Sequence, residues 1–388
     1  MKNIGIVTYV RTDNYGAELQ GYALRKKLDL LGFSAEVLNI DKIEIDAKTF
    51  REMACGAILK RLRKNPIEGI LSIAQIAFRI LFRTKKRKSI TEIARQKSRE
   101  DAFLEFWENE IIHTEYIPLD KLSELSEKYD ILIAGSDQIW NYTRTSYLDP
   151  YFLTFAANGT KKLSYAASFS VSSIPPNRQD QYRALINNVD HISVRETDGL
   201  NIIKKLTGRF AELVVDPTLL LQKEEWLKVS SDRIKIDRSY ILTYSLNSST
   251  GYWKIVKQYA KKYNLAIVNL RHDFDDRKLI DNQIDIFDAG PREFLYLLAN
   301  AKMVITNSFH GTIFSINFGV PFLSVISRIS GTNSRIHSIL AKLDLGSCLM
   351  YDDEMDLERP IEIDFTHSHK ILEKEINKSL DFLIRHIN

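Results

Sequence analysis

The sequence predicts an α/β protein built from two Rossmann-like domains that face each other across a cleft. Short apolar runs alternate with helix-length segments along most of the 388 residues, which is the pattern of parallel sheets covered by helices. The alternation stops in a charged stretch at residues 230–238 and then begins again. A chain of this length is long enough for two domains. Two such domains around a cleft make up the GT-B fold.

The first half opens with a strand, a helix and a second strand, which is a βαβ unit. The first strand is predicted over residues 4–10, and a polar turn over residues 11–16 leads into the helix. Gly32 ends that helix, because glycine readily adopts the left-handed conformation found after helices. The second strand covers residues 35–40. Further strands of this half are predicted at residues 129–134, 163–169, 191–196 and 213–218.

Residues 41–110 interrupt the alternation and are predicted to form a helical insertion. Within it, residues 60–88 carry ten lysines and arginines around an apolar segment. One interpretation is a solvated helical insertion. The other is a surface that docks on an anionic membrane, since apolar residues flanked by basic ones suit that role. The segment is too short and too interrupted to span a bilayer.

The second half repeats the pattern of strands and helices. Strands are predicted at residues 240–246 and 265–270, separated by a helix at 252–262 and followed by a helix at 291–299. Pro291 suits the first turn of that last helix, because its missing N–H is not needed there.

The predicted domain boundaries follow from these elements. Residues 1–229 form the N-terminal Rossmann-like domain and carry the basic insertion, and residues 239–369 form the C-terminal one. An amphipathic helix at residues 370–388 ends the chain. It can pack back on the first domain.

Composition limits the function classes. The net charge is only +4, from 54 basic and 50 acidic residues, so nucleic acid is not an expected partner. Cys55 and Cys348 show no metal-binding spacing and no disulfide framework. Neither a signal peptide nor a membrane-spanning segment is apparent. We therefore expect a cytoplasmic protein, with residues 60–88 as a possible contact to the inner face of the cell membrane.

The most informative stretch of the chain is residues 301–325. A short apolar run, Met303 to Ile305, predicts a buried strand that breaks into a polar loop, and a helix is predicted to begin near Gly311. Such a loop lies at the carboxyl edge of the sheet, where open α/β folds bind their ligands. The helix N-terminus favours anions, and His310 at that point can hold or transfer a proton near neutral pH.

Polar loops follow several other predicted strands. Besides the one at His310, they lie around Asn14, Asp137, Ser168 and Arg195. The chain lacks the glycine fingerprint of dinucleotide-binding domains and the glycine-lysine loop that binds nucleoside triphosphates. It also lacks the paired cysteine or histidine motifs of zinc sites. No cofactor and no metal are therefore expected.

Taken together, the loops resemble the polysaccharide pyruvyl transferase family. The matching stretches are Asn14–Ala17 with Leu19-Gln20 and Ala23-Leu24, Gly135–Asn141, Ser193–Glu196, Val215–Thr218, and Asn307–Thr312 with Gly319–Pro321. The resemblance covers residue 1 to about residue 345, except for the basic insertion. It implies a GT-B-like fold and transfer of pyruvate from phosphoenolpyruvate (PEP) to a sugar as a ketal.

The resemblance also assigns residues to PEP, and here the chain departs from the family pattern. The family's PEP-binding arginine matches Arg195, and its late histidine matches His310. Many members have Arg-Leu-His where this chain has Ser308-Phe309-His310, so one cation is missing from its usual place. Three other residues of the same half could replace it, namely Arg271, His272 and Arg335.

The chemistry of ketal formation suits these residues. PEP carries a phosphate and a carboxylate, so it needs cations and a helix N-terminus. We assign Arg195 to the PEP anion and His310 to proton donation or phosphate contact, while Asp137 is a candidate base or acceptor ligand. The remaining predicted PEP contacts are Ser308, Gly311 and Arg335, and the remaining predicted acceptor contacts are Asn14, Tyr15, Gln138 and Trp140.

Several of these residues also have a purely structural interpretation. Arg195 and Glu196 could form an ion pair at a helix start, and Asp137 could cap its loop. The Asp216-Pro217 pair is more typical of architecture, because proline fixes the backbone there. Trp140 is more typical of a core than of a sugar platform.

The sequence therefore predicts a PEP-dependent pyruvyl transferase. Its acceptor is expected to be a sugar of a bacterial surface polysaccharide or its lipid-linked oligosaccharide precursor. One alternative is a glycosyltransferase of the same fold that uses a nucleotide sugar. Another is a non-catalytic glycan-binding protein of this fold.

Overall fold

The computed structural model describes residues 2–40, 89–145, 147–246, 249–271, 283–328, 334–358 and 362–388. The predictions made for residues 41–88, including the basic segment at 60–88, lie outside this part of the chain, as does His272. Within the described residues, no helix is long and apolar enough to cross a membrane.

The first sheet has six parallel strands in the order β2-β1-β3-β4-β5-β6. Their bounds are β1 Asn3–Val7, β2 Ser34–Val37, β3 Ile131–Ala134, β4 Lys161–Ala167, β5 His191–Val194 and β6 Glu212–Leu213. The central strand β3 reads Ile-Leu-Ile-Ala and is buried at every residue, as expected for a parallel sheet that is covered on both faces.

The second sheet also has six parallel strands, in the order β12-β11-β10-β7-β8-β9. Their bounds are β7 Tyr240–Tyr244, β8 Ala266–Leu270, β9 Gln283–Ile286, β10 Met303–Thr306, β11 Phe322–Ile326 and β12 Leu349–Tyr351. Two parallel sheets with helices around them confirm the predicted α/β, GT-B-like fold.

Helices connect and cover the strands. Their bounds are α1 Tyr15–Leu30, α2 Ile90–Glu110, α3 Leu122–Ser126, α4 Gln179–Asn188, α5 Thr197–Thr207, α6 Lys223–Lys228, α7 Thr250–Tyr263, α8 Pro291–Ala299, α9 Phe309–Phe318, α10 Ser334–Lys342 and α11 Thr366–Ile387. The helix α2 starts with a capping box, in which Ser89 and Glu92 each accept a hydrogen bond from the other's backbone N–H.

Two predicted boundaries move for local reasons. The strand predicted over residues 213–218 stops at Leu213, because a 3-10 turn forms over Pro217–Leu219 and the Asp216 carboxylate accepts hydrogen bonds from the backbone and hydroxyl of Thr218. The helix expected near Gly311 begins two residues earlier, where the Ser308 hydroxyl caps it by accepting from the Gly311 N–H.

The C-terminal helix α11 contacts both halves of the protein. Ser379 accepts a hydrogen bond from the backbone N–H of Val215, and Arg385 pairs with Glu212 at the edge of the first sheet. Near its start, His369 hydrogen-bonds the backbone carbonyl of Ile316 in α9. The last helix therefore connects the two halves of the protein.

Candidate functional site

A cleft of about 500 Å³ lies between the carboxyl edges of the two sheets. The loops after β1 and β3 form one wall, and the loops after β7, β10 and β11 with the start of α10 form the other. This is the position at which parallel α/β sheets bind ligands. The lining residues that bear most directly on chemistry are Asn14, Asp137, Gln138, Arg144, Phe309 and Arg335.

A buried carboxylate, Asp216, joins residues of both halves beneath this cleft. Its Oδ2 lies 2.5 Å from Nη1 of Arg195 and accepts a hydrogen bond from the Ser136 hydroxyl at 3.1 Å. Nε2 of His310, from the second half, lies 3.7 Å from the same oxygen. Arg195 and His310 therefore meet across the domain interface, at a shared partner that the sequence interpretation had treated as architectural.

The electrostatics of the Asp216–Arg195 pair favour the charged forms of both residues. Burial opposes the ionisation of Asp216, but His310 and Arg195 outweigh burial and hold the pKa of the carboxyl well below its ordinary value. Burial also works against the charge on Arg195, yet Asp216 and Asp137 raise the pKa of the guanidinium. The pair is thus a buried ion pair with additional hydrogen bonds, the arrangement that buried charges require.

His310 occupies a tight position between the two halves. A methyl group added at Gly16, in the first turn of α1, would lie 1.9 Å from the imidazole Nδ1. Glycine at this place lets α1 approach the ring, and the other ring nitrogen faces Asp216. The imidazole is therefore fixed on both sides by residues of the first half, and it lies beside the cleft rather than among its lining residues.

Asp137 is the carboxylate that borders the cleft. Its backbone has φ of 72°, in the left-handed region that a non-glycine residue rarely adopts. Such strain concentrates at functional sites, where the surrounding structure holds it in place. Its Oδ1 lies 3.4 Å from Nη2 of Arg195, so the arginine also orients the candidate base.

Arg335 places a cation at the cleft from the second half. Its side chain is buried, and no hydrogen bond or ion pair to it occurs among the described residues. Its guanidinium carbon lies 5.4 Å from the ring centre of Phe309, and that of Arg195 lies 4.6 Å from the same ring. Burial and the neighbouring Arg195 lower the pKa of Arg335 to about 10, so it remains charged at neutral pH.

Two predicted acceptor contacts do not reach the cleft. Trp140 is fully buried, donates from Nε1 to the Tyr151 carbonyl and stacks on Phe152. Tyr15 is also fully buried, and its hydroxyl donates to the backbone carbonyl of Ala289. The assignment of both to the acceptor sugar was wrong, because the motif fixes their place in the chain but tertiary packing turns the rings into the core.

The other predicted residues divide into two groups. Asn14, Asp137, Gln138 and Arg335 line the cleft, whereas Arg195, Ser308, His310 and Gly311 lie around it without lining it.

Glu196 accepts hydrogen bonds from Ser168 and from the backbone of Phe169 and Ser170 rather than pairing with Arg195. The interpretation of Arg195 and Glu196 as a structural ion pair was therefore wrong.

Some site residues were missed by the sequence analysis. Asp216 was recognised as part of a family motif and of a proline turn but not as a site residue, although its position shortly after a strand could have marked it. Arg144 and Phe309 border the cleft as well, and no local pattern sets them apart. Among the described residues, no cluster of three or more His, Cys, Asp or Glu side chains could hold a metal ion.

Comparison with known proteins assigns the chain to a family. Residues 14–328 match the polysaccharide pyruvyl transferase family, which is most of the chain, so the protein belongs to this family. It is thus a transferase of polysaccharide biosynthesis in general terms. No curated protein gives a significant match.

The titles of two solved structures with a similar fold name a UDP-sugar epimerase and a complex with UDP. One, from Listeria monocytogenes and described as a UDP-N-acetylglucosamine 2-epimerase, has a TM-score of 0.50 at 11% identity, covering 99% of this chain and 90% of that one. The S. aureus MnaA structure with UDP has a TM-score of 0.50 at 12% identity, covering 99% and 88%. At such low identity these matches establish the GT-B fold alone.

Asp216→Asn should destabilise the protein. Losing the charge of a buried pair should lower the free energy of unfolding at pH 7 by about 3–5 kcal/mol. Because the pKa of Asp216 is lowered in the folded protein, its contribution is complete above the ordinary value of 3.8 and is lost only as the pH falls towards the lower folded value. The difference in unfolding free energy between Asp216→Asn and wild type should therefore become smaller below about pH 4.

Urea unfolding followed by tryptophan fluorescence at several pH values measures this difference. Asp137→Asn is the control, because Asp137 is farther from Arg195 and borders the cleft. This variant should lose clearly less unfolding free energy than Asp216→Asn. Equal stability of Asp216→Asn and wild type at pH 7 would show that the buried charge of Asp216 does not stabilise the folded protein.

Gly16→Ala should displace the His310 imidazole, because the added methyl would lie 1.9 Å from Nδ1. We expect a loss of about 1–3 kcal/mol in the free energy of unfolding from overpacking. Gly21→Ala in the same helix is the matched control, as its methyl would only touch Thr8 at 3.5 Å. It should stabilise the helix by about 0.5–1 kcal/mol. Thermal unfolding of both variants measures the contrast, and equal shifts would contradict the packing of His310 against α1.

Proposed function

We propose that the protein transfers pyruvate from PEP to a sugar of a surface polysaccharide or its lipid-linked precursor, forming a ketal. One observation carries the choice of donor. The cleft of this member of the pyruvyl transferase family contains a buried, positively charged Arg335 that has no hydrogen-bond or ion-pair partner in the described part of the chain. A buried cation without a counter-ion costs stability, and an anionic ligand would remove that cost.

The charges around the cleft suit an anion with two charged ends. Arg144 is exposed and borders the cleft from the first half, opposite Arg335 from the second. Phe309 begins the helix α9, whose N-terminus adds a partial positive charge at the same wall. The phosphate and the carboxylate of PEP would bind to these groups. Arg195 is already compensated by Asp216 and Asp137 and would support them from beside the cleft.

The chemistry requires one proton donor and one proton acceptor. A proton is added to the methylene carbon of PEP, which becomes the methyl group of the ketal. One sugar hydroxyl attacks the central carbon, and a second hydroxyl then replaces phosphate at the same carbon. The two hydroxyls lose one proton each. One of these protons accounts for the proton gained by the methyl group, and the other leaves with the phosphate. We assign Asp137 as the base for the attacking hydroxyl and His310 as the acid.

The uncharged part of the cleft suits the acceptor. Asn14 and Gln138 border it from the first half, and Asn307 and Ser327 from the second. Amide and hydroxyl groups of this kind both donate and accept hydrogen bonds, which is what sugar hydroxyls require. A glycan would thus lie between the two halves, with its reacting hydroxyls near Asp137.

Arg335→Met should abolish tight PEP binding without unfolding the protein. Removing a charged hydrogen-bond donor to an anion should weaken PEP binding by about 30-fold or more. The same change removes an uncompensated buried charge, so the melting temperature without ligand should stay the same or rise. Calorimetric titration with PEP and thermal unfolding measure the two effects.

Arg271→Met is the matched control for this experiment. Arg271 is another buried arginine of the second half, but it lies 3.4 Å from Asp285 on β9 and does not line the cleft. This variant should bind PEP like wild type and lose stability. PEP binding that survives in Arg335→Met, or UDP-N-acetylglucosamine binding in place of PEP in wild type, would contradict the proposed donor.

His310→Ala should lower turnover more than it weakens PEP binding. Loss of a general acid typically reduces the rate by about 10²–10⁴-fold, while Arg335 and Arg144 would still hold the donor. Phosphate release in single-turnover reactions, with nitrophenyl hexopyranosides that have free 4- and 6-hydroxyls as acceptors, measures the rate. Turnover near that of wild type would exclude His310 as the acid.

A further inference from the structure

Arg99 is a second buried arginine without a carboxylate partner among the described residues, and it lies outside the cleft. It is on α2, the helix that follows the basic segment at residues 60–88, and only 1% of its surface is exposed. A methionine would fill a similar volume without the cost of burying a charge. The arginine must therefore do something at this place that an apolar side chain cannot.

Its contacts converge on one turn of the chain. Nη2 donates to the backbone carbonyl of Asp13 at 2.8 Å, and Nη1 donates to the Tyr15 hydroxyl at 2.6 Å. The guanidinium also lies over the rings of Tyr15 and Phe103, 4.7 and 4.8 Å from their centres. A planar group with several donors and two faces is suited to holding two neighbouring residues at once.

The residue between these two anchors is Asn14, which lines the cleft. Asn14 also caps α1, since its side-chain oxygen accepts hydrogen bonds from the N–H groups of Gly16 and Ala17. Fixing the residues on either side therefore fixes both the direction of the Asn14 side chain and the start of α1.

The same arginine connects this turn to the second half. Nη1 donates to the backbone carbonyl of Ala289 at 3.3 Å, and the Tyr15 hydroxyl donates to that carbonyl at 2.9 Å. Ala289 lies just before α8, and Phe294 of α8 stacks on the Tyr15 ring. The Asn14 turn is thus held against the second half, so the width of the cleft at this point is fixed too.

We propose that Arg99 is a positioning residue that holds the Asn14 turn at the rim of the cleft. It acts through backbone and side-chain contacts to Asp13 and Tyr15 and does not touch the substrate. The consequence for catalysis rests on the proposed function, in which Asn14 contacts the acceptor sugar. Loss of Arg99 loosens the acceptor side of the cleft and leaves Arg335 and Arg144, the arginines proposed to bind PEP, in place.

Hydrogen exchange tests the anchoring without any substrate. In Arg99→Met, amide exchange in the peptide of residues 11–19 should be about tenfold faster or more, while peptides of the central strands of both sheets keep their wild-type rates. Arg292→Met is the matched control. Arg292 also connects α2 with α8, through an ion pair with Glu110 at 2.6 Å, but it does not contact the Asn14 turn. It should leave exchange in residues 11–19 within about twofold of wild type.

Arg99→Lys keeps the test decisive if the methionine variant does not fold. Lysine supplies one nitrogen where arginine uses two, so exchange in residues 11–19 should still exceed that of wild type, to a smaller extent. Unchanged exchange in residues 11–19, or faster exchange spread evenly over all peptides, would overturn the positioning role.

Kinetics with PEP and the fastest-reacting nitrophenyl hexopyranoside test the catalytic consequence. In Arg99→Met, KM for the glycoside should rise by about tenfold, and the Kd for PEP should stay within about twofold of wild type. A parallel loss of PEP and glycoside affinity would overturn a role confined to the acceptor side. If wild type transfers no pyruvate from PEP, the proposed function fails, and the exchange experiment still decides whether Arg99 holds the turn.

Discussion

The buried carboxylate of Asp216 is the interaction on which the arrangement of the site depends. It lies in the first half, where Arg195 and Ser136 bind it, and it faces His310 from the second half. An anion without these partners could not remain charged at such a depth. Asp216 therefore links the two halves electrostatically at the point where their polar loops meet, directly beside the cleft.

The arginines of the interface differ in what balances their charge. Arg195 is compensated by two aspartates, and Arg99 is satisfied by carbonyl and hydroxyl oxygens and by aromatic rings. Arg335 lines the cleft and lies near the ring of Phe309, but within the described residues no oxygen atom accepts a hydrogen bond from it and no carboxylate pairs with it. Two of these cations thus organise the protein, and the third is free to bind a ligand. This division explains why Arg335, rather than the arginine of the motif, carries the proposal for PEP.

The sequence predicted the parts of the site that follow from sheet topology. Polar residues that follow parallel strands gather at one edge of the sheet. The position of Asp137 at the cleft and the proximity of Arg195 to His310 could therefore be predicted from the sequence. Their shared partner Asp216 could not be predicted in this way, because Asp216 and His310 are 94 positions apart in the chain. The burial of Tyr15 and Trp140 could not be predicted either, because aromatic residues of a motif can pack in the core as well as bind a ligand.

The choice among the candidate cations shows the same limit. The sequence analysis assigned Arg335 to PEP and kept Arg271 as another possible cation, but only the structure gives a physical reason to separate them. Arg271 is next to Asp285 because β8 pairs with β9, a strand that the sequence analysis did not recognise. Arg335 lies in the first turn of a helix that was likewise not predicted, and its side chain lines the cleft. Partner choice depends on contacts between elements that local patterns do not encode.

The central claim is that PEP is the donor and that a ketal is the product. Carbon NMR with PEP labelled at its central carbon, recorded with the hexopyranoside panel and UDP-N-acetylglucosamine present together, tests both parts at once. The account predicts that the enol signal is replaced by that of a ketal carbon, with one phosphate released per ketal and the UDP-sugar left intact. Consumption of the UDP-sugar while PEP remains unchanged would contradict it.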